Sequence, residues 1–213
     1  VFTSAPITLA GVPPANGWVF TWDNVTRNST ITNLVSPNTK GMTLRAVMYN
    51  NGGQNGSPCY DSSPQFIESP SSIICAGSSF TYSPNAYDPD FDSLVFSFGQ
   101  PLDAIQSSYN PPSDPASLNF VTGYSINSPL PGTSQNSNNV PATINPSTGE
   151  INFTSFTQGS FALVLKVQSY RCGVLIAEVY REMQVIIINC PSNNAPTVIP
   201  PLGNNTSFDT TVK

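Results

Sequence analysis

Asp88, Asp90 and Asp92 are the residues of this chain best placed to do chemistry, as carboxylates at every second position of Ala86-Tyr87-Asp88-Pro89-Asp90-Phe91-Asp92-Ser93-Leu94. A turn through them would point their oxygens at one hard cation such as Ca2+, which binds through oxygen ligands. Like charges at this spacing repel unless a cation or solvent screens them, so the loop has a physical reason to take up metal. The same residues also make an ordinary solvated turn in which Asp and Pro set only the backbone. Leu94, Phe96 and Phe98 follow with period two, the mark of a half-buried strand. The acidic loop therefore opens onto an element that can hold it in place.

Other chemistry is thin. The chain has no histidine, which removes Ser-His-Asp and Cys-His catalysis and imidazole zinc sites. Asp103, Asp114 and Glu150 are further loop acids, and nothing in their positions brings two of them to the separation that glycoside hydrolysis needs. The protein is thus expected not to be an enzyme. Seven Lys and Arg in a chain of net charge −5 leave no basic stripe for nucleic acid. No apolar run approaches the length of a membrane-spanning helix, so no membrane insertion is expected. Tyr109 and Tyr124, in a polar stretch, are candidates to contact a ligand such as a sugar ring, whereas Trp18, Phe20 and Trp22 share one strand face and read as core.

The elements that must position these residues are strands. Only 9% of the residues are charged and 21 are proline, the composition of an extracellular β-protein with many turns. Alternation marks strands at Trp18 to Trp22, Met42 to Tyr49, Phe80 to Tyr82, Leu94 to Phe98, Ile151 to Phe153, Phe161 to Val167 and Val174 to Ile188. The last two form the clearest hairpin. Within it Arg181 breaks the apolar parity of Val179, Met183, Val185 and Ile187, which calls for a bulge or a paired arginine. The expected fold is an antiparallel β-sandwich spanning 59–190, preceded by a partial β-domain at 1–58 that other sequence completes, and followed at 191–213 by a linker and the start of a next module. The stretch from Asp103 to Val140 is too long for an idle loop and is expected to carry a contact surface. The start at Val1 without Met is expected of a processed chain or an excised piece.

Four cysteines without a CxxC pair favour disulfides over metal or redox chemistry and imply an oxidising location outside the cytoplasm. Cys75 opens the strand pattern leading to Phe80 and Cys190 ends the final strand, so a Cys75–Cys190 bridge would join the first and last strands of one sandwich. From Val174 to Asn189 an extended strand runs about 50 Å, at roughly 3.3 Å per residue, which separates Cys172 from Cys190. Cys59 is then left to pair with Cys172.

The order of motifs adds a resemblance. The acidic loop at Asp88 to Phe98 precedes one strand. Asn145-Pro146-Ser147-Thr148-Gly149-Glu150-Ile151-Asn152-Phe153 then supplies a P-x-T-G turn before the next, and Gly159 precedes a long late strand. This order resembles the cadherin-like and putative-immunoglobulin modules of bacterial surface proteins. With Arg27 to Leu34 and Tyr170-Arg171-Cys172-Gly173-Val174-Leu175-Ile176, it is similar to the large gliding-motility-associated adhesins of the Bacteroidota that the type IX secretion system exports. The resemblance implies a non-catalytic structural and adhesive module of a long filament at the cell surface. It also implies Ca2+ on Asp88, Asp90 and Asp92, neighbouring β-modules as partners, and surface glycans or the substratum as contacts. Phe91 stands where the family has glycine, and Cys172 where asparagine commonly precedes Gly173. The alternative function, of a different class, is a carbohydrate-binding module of an extracellular carbohydrate-active enzyme.

Overall fold

The computed structural model describes residues 4–51, 55–56, 59–69, 73–105, 108–110 and 113–191. Among them the alternating runs form strands β1 (Trp18–Asn24), β2 (Met42–Met48), β3 (Gln65–Phe66), β4 (Ile73–Cys75), β5 (Ser79–Tyr82), β6 (Ala86–Tyr87), β7 (Ser93–Phe98), β8 (Val140–Ile144), β9 (Ile151–Thr154), β10 (Gly159–Arg171) and β11 (Val174–Ile188). No α-helix forms among the described residues. The large sheet has the order β1-β2-β11-β10-β7 with β4 beside β11, a smaller sheet runs β5-β9-β8, and β3 pairs with β6. Pairing is antiparallel except between β4 and β11. The chain is all-β, as its patterning predicts.

The core lies where the two sheets face each other. Phe161 and Leu163 of β10 and Met183, Val185 and Ile187 of β11 meet Tyr82, Ile151 and Phe153 of the small sheet. Leu165, Val167 and Phe96 carry the apolar layer on to β7. Each such side chain contributes roughly 1.5–3 kcal/mol by leaving water. The small sheet depends on the turn between β8 and β9, where Gly149 has φ +74° and a Cβ would come 2.6 Å from the Phe96 ring. Only glycine satisfies both conditions.

The hairpin of β10 and β11 turns through Cys172 (φ 50°) and Gly173 (φ 80°), both positive, as a two-residue turn matched to strand twist requires. Its bulge lies at Ser169/Tyr170 rather than at Arg181. Arg181 stays in register opposite Leu165 and covers the Phe66 ring at 4.7 Å. The irregular residue is therefore an arginine set over an aromatic ring, with its Nη1 buried and without a hydrogen-bond partner.

β11 is longer than any one neighbour on its second edge, and two strands share that edge. β4 takes the far end, with Ile188 opposite Cys75. β2 takes the near end, with Ala177 opposite Met48 and Val179 opposite Ala46. Residues before 58 thus continue the large sheet, and the boundary expected there does not separate two sheets. The same joining explains Phe20 and Trp22, which are 45% and 40% exposed instead of being core. They lie on β1, the outermost strand of the large sheet, away from the packed centre.

Between β2 and the sandwich the chain is also sewn down by side chains. Asn33 is fully buried; its Nδ2 donates to the carbonyls of Pro129 (2.7 Å) and Ala162 (2.8 Å), and its Oδ1 accepts the Ala162 N–H (2.9 Å). With the Thr32 N–H on the Ser160 carbonyl, it continues the β10 edge past the end of β7. The buried Arg27 guanidinium donates to Glu182 and to the carbonyls of Gly41 and Leu102. Parts of the stretch 103–140 pack onto the sandwich. Leu118 and Phe120 pack with Ile31 and Leu34 on Ala162, and Leu130 enters the main core. Burying Leu118 over the outer face of β10 and Leu130 in the main core outweighs leaving these residues in a free polar loop.

The Cys75–Cys190 bridge is present and ties β4 to the segment that follows β11. Cys59 and Cys172, expected to bridge, are instead free and exposed. The positive φ of Cys172 is met by its place in the turn, so the hairpin needs no bridge to hold it. The linker and next module expected after 191 lie outside the described residues.

Candidate metal centre

The loop between β6 and β7 is built by Asp88. Its Oδ1 accepts the backbone N–H of Asp90 (2.9 Å) and of Asp92 (3.3 Å), which curls the chain through Phe91 at φ 64°. Phe91 is 95% exposed, so its ring bears none of the fold and only its backbone follows the turn. Asp88 Oδ2 accepts the hydroxyl of the fully buried Ser169 on β10 (2.9 Å). The bulge at Ser169/Tyr170 and the loop thus meet, and Asp88 anchors the one on the other.

The loop does not stand alone. Asp61, from the segment that leads into β3, brings a fourth carboxylate, and one oxygen from each of Asp61, Asp88, Asp90 and Asp92 lies within 4.8 Å of the others. The Ser62 N–H donates to Asp90 Oδ2 (2.6 Å), fixing that segment against the loop. The Asp61 side chain has no exposed surface, and its Oδ2 is buried with no hydrogen-bond partner. Burial, then a hydrogen bond that the protonated carboxyl can share with Asp92, then the charges of Asp88 and Asp92, push the Asp61 carboxyl up to about 7. Once ionised, Asp61 Oδ2 is a buried acceptor without a donor, at a cost of about 1–3 kcal/mol, and among neighbouring carboxylates it favours a ligand of positive charge.

Arg171, the last residue of β10, is the cation now in contact. Its Nε donates to Asp92 Oδ1 (2.9 Å) and its Nη2 to Asp92 Oδ2 (2.7 Å). The same Nη2 lies 3.4 Å from Asp61 Oδ1 and 3.5 Å from Asp90 Oδ2. The hydrogen bonds it donates to Asp92, with the negative charges of Asp92, Asp61 and Asp90, raise the Arg171 pKa, so the guanidinium stays charged.

Carboxylate oxygens from two segments, with a buried acceptor unmet, fit a hard divalent ion better than a soft one. Asp88, Asp90 and Asp92 are brought together as the spacing predicts. Asp61 is the member that sequence reasoning missed, since it lies 27 positions before Asp88 with no local motif around it. Of the other candidates, Tyr124 is half-buried and packs on Phe161 with ring centroids 6.1 Å apart, so its ring is core edge and not an open stacking face. Tyr109 is 40% exposed. Asp103 is engaged by Lys40 and by the N–H groups of Gly41 and Ala104, Asp114 by Asn110 and Glu150 by Asn152. Among the described residues, the Asp61 group is the one set of acids that converges.

No family model, no curated protein and no solved structure matches the chain.

Proposed function

We propose that this chain is a non-catalytic structural and adhesive module of a long extracellular filament at the cell surface, stiffened by a disulfide and by Ca2+ at the acidic cluster. The observation that carries the reading is the buried, unpartnered Asp61 Oδ2 among four converging carboxylates. The all-β sandwich and the order of the sequence motifs support the assignment to gliding-motility-type adhesins, with neighbouring β-modules as partners. In such a module the residues act mechanically. Ser62 ties the segment before β3 to the β6–β7 loop, Asp88 ties that loop to Ser169, and bound calcium would neutralise the carboxylates that these ties crowd together.

Extracellular calcium sites bind in the range of about 0.1–1 mM. At about 10 mM Ca2+ and an affinity near 1 mM, the folded state would gain roughly 1.4 kcal/mol, or a rise in melting temperature of about 3–6 °C for a chain this size. Melting with calcium and with chelator, in the wild type and in Asp61→Asn, tests the site. Equal midpoints for the wild type in both solutions would remove it. A carbohydrate-binding module is the second reading, favoured by the exposed rings of Phe20 and Trp22 on one strand. Saturable binding of a defined glycan would select it.

A further inference from the structure

We infer that Arg171 is a built-in counter-ion occupying the cation position of the acidic cluster, and that calcium enters by exchange with this side chain. The inference rests on the calcium reading above and adds how the site is regulated.

The geometry has three parts. First, one atom, Arg171 Nη2, touches oxygens of Asp92, Asp61 and Asp90 at 2.7, 3.4 and 3.5 Å. A single positive group in contact with three of the four carboxylates stands where a metal would stand. Second, the replacement is incomplete. The guanidinium grips Asp92 with two hydrogen bonds but leaves Asp61 Oδ2 buried and unpartnered. A planar fork satisfies one carboxylate well and its neighbours poorly, whereas a spherical ion accepts oxygens from several directions. Third, Arg171 can leave. Its side chain is 25% exposed and it precedes the Cys172–Gly173 turn at the tip of the hairpin. Arg27, with its side chain 2% exposed and held by two backbone carbonyls as well as Glu182, has no such route.

The consequence is a site that stays closed without metal. Arg171 holds the segment containing Asp61 against the loop in the absence of calcium, and the calcium affinity is set by the work of expelling it. A unit charge a few ångströms from a divalent ion, even when strongly screened, opposes binding by about tenfold or more.

The test is calcium titration by calorimetry on the whole chain as wild type, Arg171→Gln and Arg171→Lys, with the Arg171 Nε–H followed by NMR in the wild type. Exchange predicts that Arg171→Gln binds calcium at least tenfold more tightly. It also predicts that this variant melts below wild type in chelator and that the gap closes in saturating calcium. Arg171→Lys keeps the charge and should stay within a few-fold of wild type. The wild-type Nε–H signal should shift and lose its protection as calcium is added. Should Arg171→Gln not fold in chelator, that NMR signal and the lysine variant still decide the matter. Equal affinity in wild type and Arg171→Gln, or an Nε–H unmoved by saturating calcium, overturns the exchange and leaves the calcium site standing. Absence of binding in every variant overturns both. Binding to Arg171→Gln alone also overturns the exchange, because in the wild type the arginine is then never displaced.

Discussion

Replacing Asn33 by alanine should be among the most damaging single changes in the protein. The amide makes three buried hydrogen bonds, two to the Ala162 backbone and one to the Pro129 carbonyl. Alanine keeps none of them, and the backbone groups left behind sit where water has little access. At about 1–3 kcal/mol for each orphaned group, with some relief from water entering the space, the loss is about 3–5 kcal/mol. That is a large share of a typical stability of about 5–15 kcal/mol. Urea denaturation at pH 7 would show it as a midpoint lowered by about 1–2.5 M at an unchanged slope, taking a slope of about 2–3 kcal/mol per M. Asn33→Asp sharpens the test. One aspartate oxygen can still accept the Ala162 N–H, but the other faces two carbonyl oxygens and prefers to be protonated. Its folded pKa is raised above the unfolded value, so the stability it retains is present at low pH and lost as pH rises through the raised value. The aspartate variant should be more stable than the alanine variant near pH 4 and less stable near pH 8. An alanine variant within 1 kcal/mol of wild type, or an aspartate variant that tracks wild type across that range, would refute the view that this amide continues the β10 edge.

Glu182→Ala strands the buried Arg27 guanidinium and should cost about 3–5 kcal/mol, whereas Arg27→Met combined with Glu182→Leu should cost less than Glu182→Ala, because it removes both charges; denaturant unfolding of the variants measures this. In chelator, Asp61 holds an extra proton in the folded state between the ordinary carboxylate range and about 7. Stability should therefore fall as pH rises from about 4 to about 7, by at most about 4 kcal/mol for a three-unit difference. Asp61→Asn should flatten that slope, and an unchanged slope in thermal melts across this window would show that Asp61 does not titrate there.

Strand content, the late hairpin and the acidic loop were legible because each is written in a few consecutive residues. The alternation of Phe161 to Val167 decides which side chains share a face whatever they pack against. Asp88, Asp90 and Asp92 are neighbours along the chain, so any tight turn brings them together. Even the staple between Cys75 and Cys190 follows from positions at the ends of strand patterns. The tertiary structure alone decided which distant segments meet. Arg171 joins the cluster because β10 places its last residue beside the β6–β7 loop, and Asp61 because Ser62 bonds its segment to that loop; no local pattern encodes either meeting. Met42 to Tyr49 reads as a strand in the sequence, but its partner was settled by the free length of β11 that β4 leaves uncovered. Asn33 looks like one polar residue among many, and only the end of β7 opposite Leu165 leaves the open β10 edge that its amide fills. Periodicity is a property of neighbouring residues, whereas pairing across a sheet is a competition among all available edges, settled by burial summed over the whole chain.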